Sequence, residues 1–311
     1  MTEITLSPEP RPLGKSGLHV SPMAWGMWRF GGTDVRTARI TVEAAFDAGI
    51  TLFDTADIYG PDNEESFGAS EVLLGRVFAE APALRERMVL ASKGGIRMGV
   101  PYDSSPAYLR EAVEASLARL GVERIDLWQI HRPDMLAHPA EVAGALDALV
   151  AEGKIGAVGV SNHTPAQTAA LAKHLKCGVT STQPEFSAVA TAPLFDGTLD
   201  RAMKHGYAVL AWSPLGQGRL AEGDPRPGRM QSDDPRSTRV KLALDVHAER
   251  CGVDRTAVAY AWVMAHPARP IPIVGTQTPA RIAASAAAYK VRFTRAEWYA
   301  ILVASLGENL P

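Results

Sequence analysis

The 311-residue chain contains only two cysteines, Cys177 and Cys251, far apart and each followed by Gly-Val. That is too few for a disulfide framework or a thiolate metal site, so both are expected to be buried thiols in a reducing compartment. Nor is there an excess of either charge. Lys and Arg total 32 against 34 Asp and Glu, a net charge of −2, which excludes the strongly basic surface that nucleic acids and acidic membranes select. No apolar run approaches the length of a membrane span. The opening segment carries Glu3, Glu9 and three prolines in place of the apolar centre of a secretion signal. The expected location is the cytoplasm. No Gly-x-Gly-x-x-Gly follows the first apolar run, so the dinucleotide fingerprint of an open doubly wound sheet is missing. No group of His, Cys and carboxylates has metal-ligand spacing, and no metal is expected.

The balance that is present, 46% hydrophobic and 21% charged residues, is that of a folded globular protein and not of a disordered chain. Eight short β-rich apolar runs occupy 20–26, 50–55, 88–93, 125–131, 155–161, 179–183, 207–212 and 271–274. Between them lie stretches with helical periodicity, best seen at 105–121. There Ser105 can cap, Pro106 suits the first turn and Gly121 can close the end. Leu109, Val113, Ser116, Leu117 and Leu120 share one face, with Arg110, Glu114 and Arg119 elsewhere. Similar patterns fit 34–48, 65–79, 139–152, 165–175, 195–205, 237–251 and 279–289. Strands alternating with helices require parallel pairing through right-handed crossovers. Eight such units without a break in composition predict one closed (β/α)8 barrel over residues 1–311. The segment 11–19, with Gly14 and Gly17, reads as a hairpin plugging the barrel's bottom, and 294–306 as an additional C-terminal helix. The stretch 222–239, rich in Asp, Pro, Gly and Arg, is expected to be a loop, either a solvated linker or a flap over an anionic cofactor.

Catalytic groups of such a barrel stand where strands end and in the loops that follow. Asp54, Lys93 and His131 end the second, third and fourth runs, and Tyr59 follows Asp54 by five residues. Taken singly, each has an ordinary structural explanation as a cap, a surface lysine or a packed histidine. Together they share one rim. A buried Lys93 needs a counter-ion, and Asp54 supplies one. A tyrosine beside that pair is expected to be shifted from its reference value of about 10 toward neutrality, as carbonyl reduction requires of an acid–base group.

Several segments taken in order resemble the aldo-keto reductase family. Phe53-Asp54-Thr55-Ala56-Asp57-Ile58-Tyr59-Gly60 is similar to its signature. Leu90-Ala91-Ser92-Lys93-Gly94 and Ile125-Asp126-Leu127-Trp128-Gln129-Ile130-His131-Arg132-Pro133-Asp134 match the next two. Gly153-Lys154-Ile155-Gly156-Ala157-Val158-Gly159-Val160-Ser161-Asn162 is a fourth. The resemblance extends from about Leu13 to Leu306. It implies a catalytic tetrad of Asp54, Tyr59, Lys93 and His131: Tyr59 as general acid in reduction, Lys93 tuning it, Asp54 holding Lys93, and His131 hydrogen-bonded to the substrate carbonyl. It implies hydride transfer from a nicotinamide, with Ser161, Asn162 and Gln183 on the carboxamide and Trp212 stacked on the ring. Backbone amides of Ser213, Pro214-Leu215-Gly216 and Gly218 would approach the pyrophosphate. Gly275, Thr276 and Arg281 would meet the adenosine 2′-phosphate, and Ser285 the adenine. Many relatives carry lysine where Gly275 stands. The expected cofactor is therefore NADPH, chosen for Arg281, with NADH open as an alternative.

Trp28, Phe30 and Asp57 are candidate substrate contacts, with loop packing an equal explanation for the two aromatics. The expected partner is a small carbonyl compound, met by a monomer that binds neither nucleic acid nor membrane. Two competing readings stand beside this one: a Schiff-base aldolase using Lys93 as nucleophile, and a nicotinamide-binding regulatory subunit with little or no turnover. The pattern does not specify which aldehyde, α-dicarbonyl, ketosteroid or sugar is used, since loop shape decides that.

Overall fold

A computed structural model describes residues 3–60, 65–223 and 234–310. Eight parallel strands close into a barrel in chain order. They are β1 (Ala24–Gly26), β2 (Leu52–Asp54), β3 (Val89–Gly94), β4 (Ile125–Ile130), β5 (Ile155–Ser161), β6 (Val179–Gln183), β7 (Ala208–Ala211) and β8 (Ile271–Val274). Each corresponds to one of the apolar runs. The first run is shorter than its apolar stretch because Pro22 has no N–H to donate. Ser21 instead exchanges hydrogen bonds with Thr51, its N and Oγ meeting Thr51 Oγ1 and N at 2.9 and 2.8 Å, and Val20 joins a separate hairpin.

The α-helices longer than one turn outside the barrel are, among the described residues, α1 (Val35–Asp47), α2 (Ala69–Glu80), α3 (Pro106–Leu120), α4 (Pro139–Ala151), α5 (Pro165–Ala172), α6 (Thr198–His205), α7 (Pro235–Cys251), α8 (Arg255–Met264), α9 (Pro279–Ala284) and α10 (Arg295–Leu306). Their starts follow from local chemistry. Asp34, Ser105, Thr164, Asp234, Asp254 and Thr294 each accept a backbone N–H of the first turn. Helix α7 begins at Pro235, inside the stretch expected to be a loop, because Asp234 accepts from the N–H of Ser237. Residues 224–233, the centre of the expected flap, lie outside the described residues. Helix α8 had no counterpart among the expected helices. Residues 257–264 are all buried, so no polar face marks a repeat. Trp262 of α8 stacks on Trp298 of α10 with centroids 4.8 Å apart, and each indole N–H donates to the other's backbone carbonyl.

The barrel interior is layered. Leu52, Ala91, Leu127, Ala157, Leu210, Ile271 and Ile273 fill its lower part, closed from below by Leu13 and Val20. Leu13 belongs to the expected hairpin, and Val20, expected in the first strand, extends it instead, Arg11–Pro12 pairing antiparallel with His19–Val20. Gly14 sits at φ 55°, and a Cβ there would lie 2.2 Å from the carbonyl oxygen of Thr180, so only glycine lets the plug seat. Two additional pairings were not expected: Ile4–Thr5 with Arg292–Phe293, and a hairpin of Ile96–Arg97 with Val100–Tyr102 after β3. The cysteines depart from expectation, Cys177 being exposed and Cys251 only half-buried. Among the described residues no helix is long and apolar enough to cross a membrane. None of their His, Cys, Asp and Glu side chains form a group able to hold a metal.

Candidate active site

Above the apolar layers the barrel interior turns polar. Inward positions alternate along each strand, so Asp54 on β2, Lys93 on β3, Gln129 on β4, and Ser181 and Gln183 on β6 meet at one level. Lys93 is fully buried. Its Nζ donates to Asp54 Oδ2 at 2.7 Å, to the backbone oxygen of Thr55 at 2.8 Å and to Tyr59 OH at 3.1 Å. Three donors meet three acceptors, the full capacity of an ammonium. The other oxygen of Asp54 accepts from Gln129 Nε2 at 3.2 Å and Gln183 Nε2 at 3.0 Å, and Ser181 Oγ donates to Gln129 Oε1 at 3.2 Å. Gly159 of β5 makes room for this, since a Cβ there would lie 2.1 Å from Ser181 Oγ and 2.9 Å from Gln129 Cγ. Gln129 and Ser181 were missed in the sequence. Gln129 lies two residues before His131 on the same strand face, which is the signal that would have found it.

The electrostatics follow from burial. Burial alone disfavours the charge of Lys93, but Asp54 and Tyr59 outweigh it and hold the amine charged above its ordinary pKa. An amine so clamped is a poor Schiff-base nucleophile, which must lose its proton. Tyr59 departs from the expected shift toward neutrality. Burial pushes its pKa up more than Lys93 brings it down, and Asp54 adds to the rise. The phenol therefore keeps its proton through neutral pH. His131, whose ring meets that of Tyr59 edge-on at 5.9 Å and 79°, is held well below its ordinary pKa by burial, then by Lys93 and Arg132. Its Nδ1 is buried without a hydrogen-bond partner among the described residues. A neutral imidazole and a protonated phenol thus share one rim over a charged amine.

Beside them Ser161, Asn162, Gln183 and Trp212 form one network. Asn162 Nδ2 donates to Ser161 Oγ at 2.8 Å and to the His131 backbone oxygen at 3.2 Å, and Trp212 Nε1 donates to Asn162 Oδ1 at 2.9 Å. Asn162 adopts φ 58°, left-handed backbone that asparagine tolerates better than most residues. Arg132 lies 5.9 Å from the Trp212 ring centroid, a cation absent from the expected contacts. In the loop after β7, Ser213 and Gln217 also have positive φ, and consecutive turns tie Gly216 N to Ser213 O and Gly218 N to Leu215 O. Pro214 and Leu215 pack within it, Pro214 buried. After β8, Gly275 is exposed with open space about it, and Arg281 is exposed with no ion pair among the described residues. Thr276 is bound at both its groups, its carbonyl accepting from Trp25 Nε1 and its hydroxyl from Thr278 N. Ser285 turns inward, its hydroxyl donating to Ile282 O at 2.6 Å.

The candidate substrate contacts separate. Trp28 stands 38% exposed in the loop after β1, with Arg29 4.9 Å over its ring. Phe30 is buried edge-on against Trp25, a packing residue. Asp57 is buried behind the strand wall rather than in the mouth. A Cβ on outward-facing Gly94 would lie 2.9 Å from its Oδ2 and 2.5 Å from the Trp128 indole. Among the described residues neither carboxylate oxygen has a well-formed hydrogen bond, the Ile58 N–H being the nearest donor, and burial, reinforced by Glu71, pushes its pKa well up.

Residues 22–303 match the model of the aldo/keto reductase family. The chain is 53% identical, over the whole length of both, to 6-dehydroglucose reductase of Novosphingobium aromaticivorans. It is 35% identical, over 94% of its length and 97% of the relative's, to 6-dehydroglucose reductase of Agrobacterium fabrum. Oxidoreductase YdhF of Escherichia coli is 33% identical over 99% of each chain. An eight-stranded barrel with a polar rim of this composition and a family match over nearly its whole length lead to one assignment: the chain belongs to the aldo/keto reductase family, whose activity is carbonyl reduction.

Proposed function

We propose that this protein reduces an aldehyde or ketone to an alcohol with NADPH, Tyr59 giving the proton. The observation that carries the reading is the fully buried Lys93, bonded at once to Asp54 and Tyr59. Tyr59 stands protonated at the rim, half-buried, so its hydroxyl can reach a carbonyl oxygen. As negative charge develops on that oxygen, a phenol and a neutral imidazole are the donors facing it. Lys93 acts on the phenolate left behind, which it stabilises by charge in a site shielded from bulk water. Asp54 holds Lys93 in place, and Gln129 and Gln183 hold Asp54.

The donor set fits a nicotinamide cofactor. Gln183 gives its amide to Asp54 and keeps its carbonyl oxygen able to accept from a carboxamide N–H, while Asn162 Oδ1, which already accepts from Trp212 Nε1, has one lone pair left for a second donor. Trp212, pinned by Asn162, offers a flat ring. Open Gly275 and exposed Arg281, which has no ion pair among the described residues, fit a phosphate at the adenosine end. When bound, the cofactor supplies the hydride. The buried Ser285 hydroxyl does not support an adenine contact there.

For the substrate, we infer 6-dehydroglucose or a closely similar oxidised sugar. The name borne by the relative 53% identical over its whole length supports this, as does the exposed aromatic ring of Trp28 at the mouth. The test is turnover of 6-dehydroglucose, followed by loss of reduced nicotinamide absorbance, with NADPH and NADH compared. NADPH-dependent reduction to glucose is expected. Tight cofactor binding without turnover on this sugar or on simple aldehydes would favour the regulatory reading.

A further inference from the structure

At the end of the barrel opposite Tyr59, a cavity of about 360 Å³ opens between α5 and α6, beneath the amino ends of β6 and β7. Its lining includes Lys15 of the plug hairpin, Lys173 just after α5, and Arg201 and His205 of α6, with no Asp or Glu among its residues. Across a chain of net charge −2, this is a local concentration of positive charge.

Arg201 is the informative member. It is half-buried, its Nε has no access to solvent, and that Nε has no hydrogen-bond partner among the described residues. Among the other half-buried arginines, Arg119 is paired with Glu71, Arg85 with Asp126 and Arg255 with Asp245, whereas Arg29 and Arg132 lie over the rings of Trp28 and Trp212. Arg201, Lys15 and Lys173 make no ion pair among the described residues. A shielded N–H without an acceptor is unfavourable, and Lys15, Lys173 and His205 gather further positive charge and proton donors at the same cavity. On its other side Arg201 borders a void of about 10 Å³ shared with Thr168, Thr182 and Thr198. The outer face of β6 is therefore polar here, where a strand covered by helices is ordinarily apolar. His205 stacks on Tyr207 with centroids 5.4 Å apart, which fixes the imidazole at the cavity wall.

We propose that this cavity is a binding site for a phosphate group, carried by a small phosphorylated compound or present as free phosphate. Arg201 supplies planar N–H donors, His205 one more, and Lys15 and Lys173 the balancing charge, the donor chemistry a phosphate dianion requires. The volume lies within the range of small-molecule sites. The site is separate from the cofactor's own phosphate contacts, which lie at the other end of the barrel.

The test is calorimetric titration of the protein saturated with NADP+, so that cofactor phosphates do not compete. Inorganic phosphate and glucose 6-phosphate are the probes, with ionic strength held constant by sodium chloride. Saturable binding at one site is expected. It should weaken roughly tenfold or more in Arg201→Gln and severalfold in Lys173→Glu, while carbonyl turnover is unchanged. Tighter binding of glucose 6-phosphate assigns the site to a phosphorylated compound, and equal affinities assign it to the phosphate alone. Absence of saturable binding by both probes would overturn the proposal, as would binding that neither substitution alters. Should Arg201→Gln fail to fold, Lys173→Glu and Lys15→Glu, both at exposed positions, decide the matter.

Discussion

Replacing Lys93 by methionine keeps the length of the side chain and deletes its charge. Asp54 is then left as a buried carboxylate facing an apolar chain. Removing one partner of a buried pair costs roughly 3–5 kcal/mol. Asp54 keeps its bonds from Gln129 and Gln183, which places the expected cost near the lower end, about 3 kcal/mol. For a chain of this size that corresponds to a fall in Tm of about 5 °C, measurable by thermal denaturation followed by circular dichroism. Adding Asp54→Asn removes the orphaned charge while keeping a carbonyl oxygen for the two glutamines. Most of the lost stability should return. Turnover should not return, because the cation beside Tyr59 is still missing; a loss of roughly 10²–10⁴-fold is expected in both variants. A Lys93→Met protein that melts within about 1 °C of the parent would refute the reasoning, and so would a double variant that regains activity.

Three further outcomes follow from the site. His131 is held well below, and Tyr59 above, its ordinary pKa, so kcat/KM for reduction should be flat between about pH 6 and 9. An acid limb near the ordinary histidine pKa would contradict the neutral imidazole. For Asp57 the folded-state pKa is raised, so its contribution to stability is fully present below the unfolded carboxylate pKa and is lost as pH rises through the folded value. Asp57→Asn should therefore raise Tm at neutral pH, with the gain vanishing below about pH 4; a neutral-pH loss of stability would reverse the assignment. Arg281→Ala should weaken NADPH binding, measured by tryptophan quenching, more than NADH binding, and equal losses would remove Arg281 from the phosphate contact.

The eight strands were legible because each is a short β-rich run between helical stretches, and the open doubly wound alternative lacked its Gly-x-Gly-x-x-Gly fingerprint. Helix α8 was not, since Val258, Tyr260 and Trp262 are buried on every side and leave no periodicity to read. The rim residues Asp54, Lys93 and His131 were legible from their positions at strand ends. Side-chain direction was harder to read. Asp57 and Phe30 sit in the right loops yet turn away from the mouth, and Ser285 stands at the expected position with its hydroxyl turned inward. The shift of Tyr59 was read in the wrong direction because the cation was weighed and the burial and the charge of Asp54 were not. The pairings of Gln129 and Ser181 depend on contact between β4 and β6 across Gly159, and no local pattern encodes that distance.

The most direct test of the account is Tyr59→Phe, assayed for NADPH-dependent carbonyl reduction beside a binding titration with NADPH. The substitution removes one hydroxyl and leaves the Lys93–Asp54 pair in place. The account predicts a fall in kcat of roughly 10²–10⁴-fold with cofactor affinity nearly unchanged. Near-normal turnover in the variant would contradict it, because some other group would then be giving the proton.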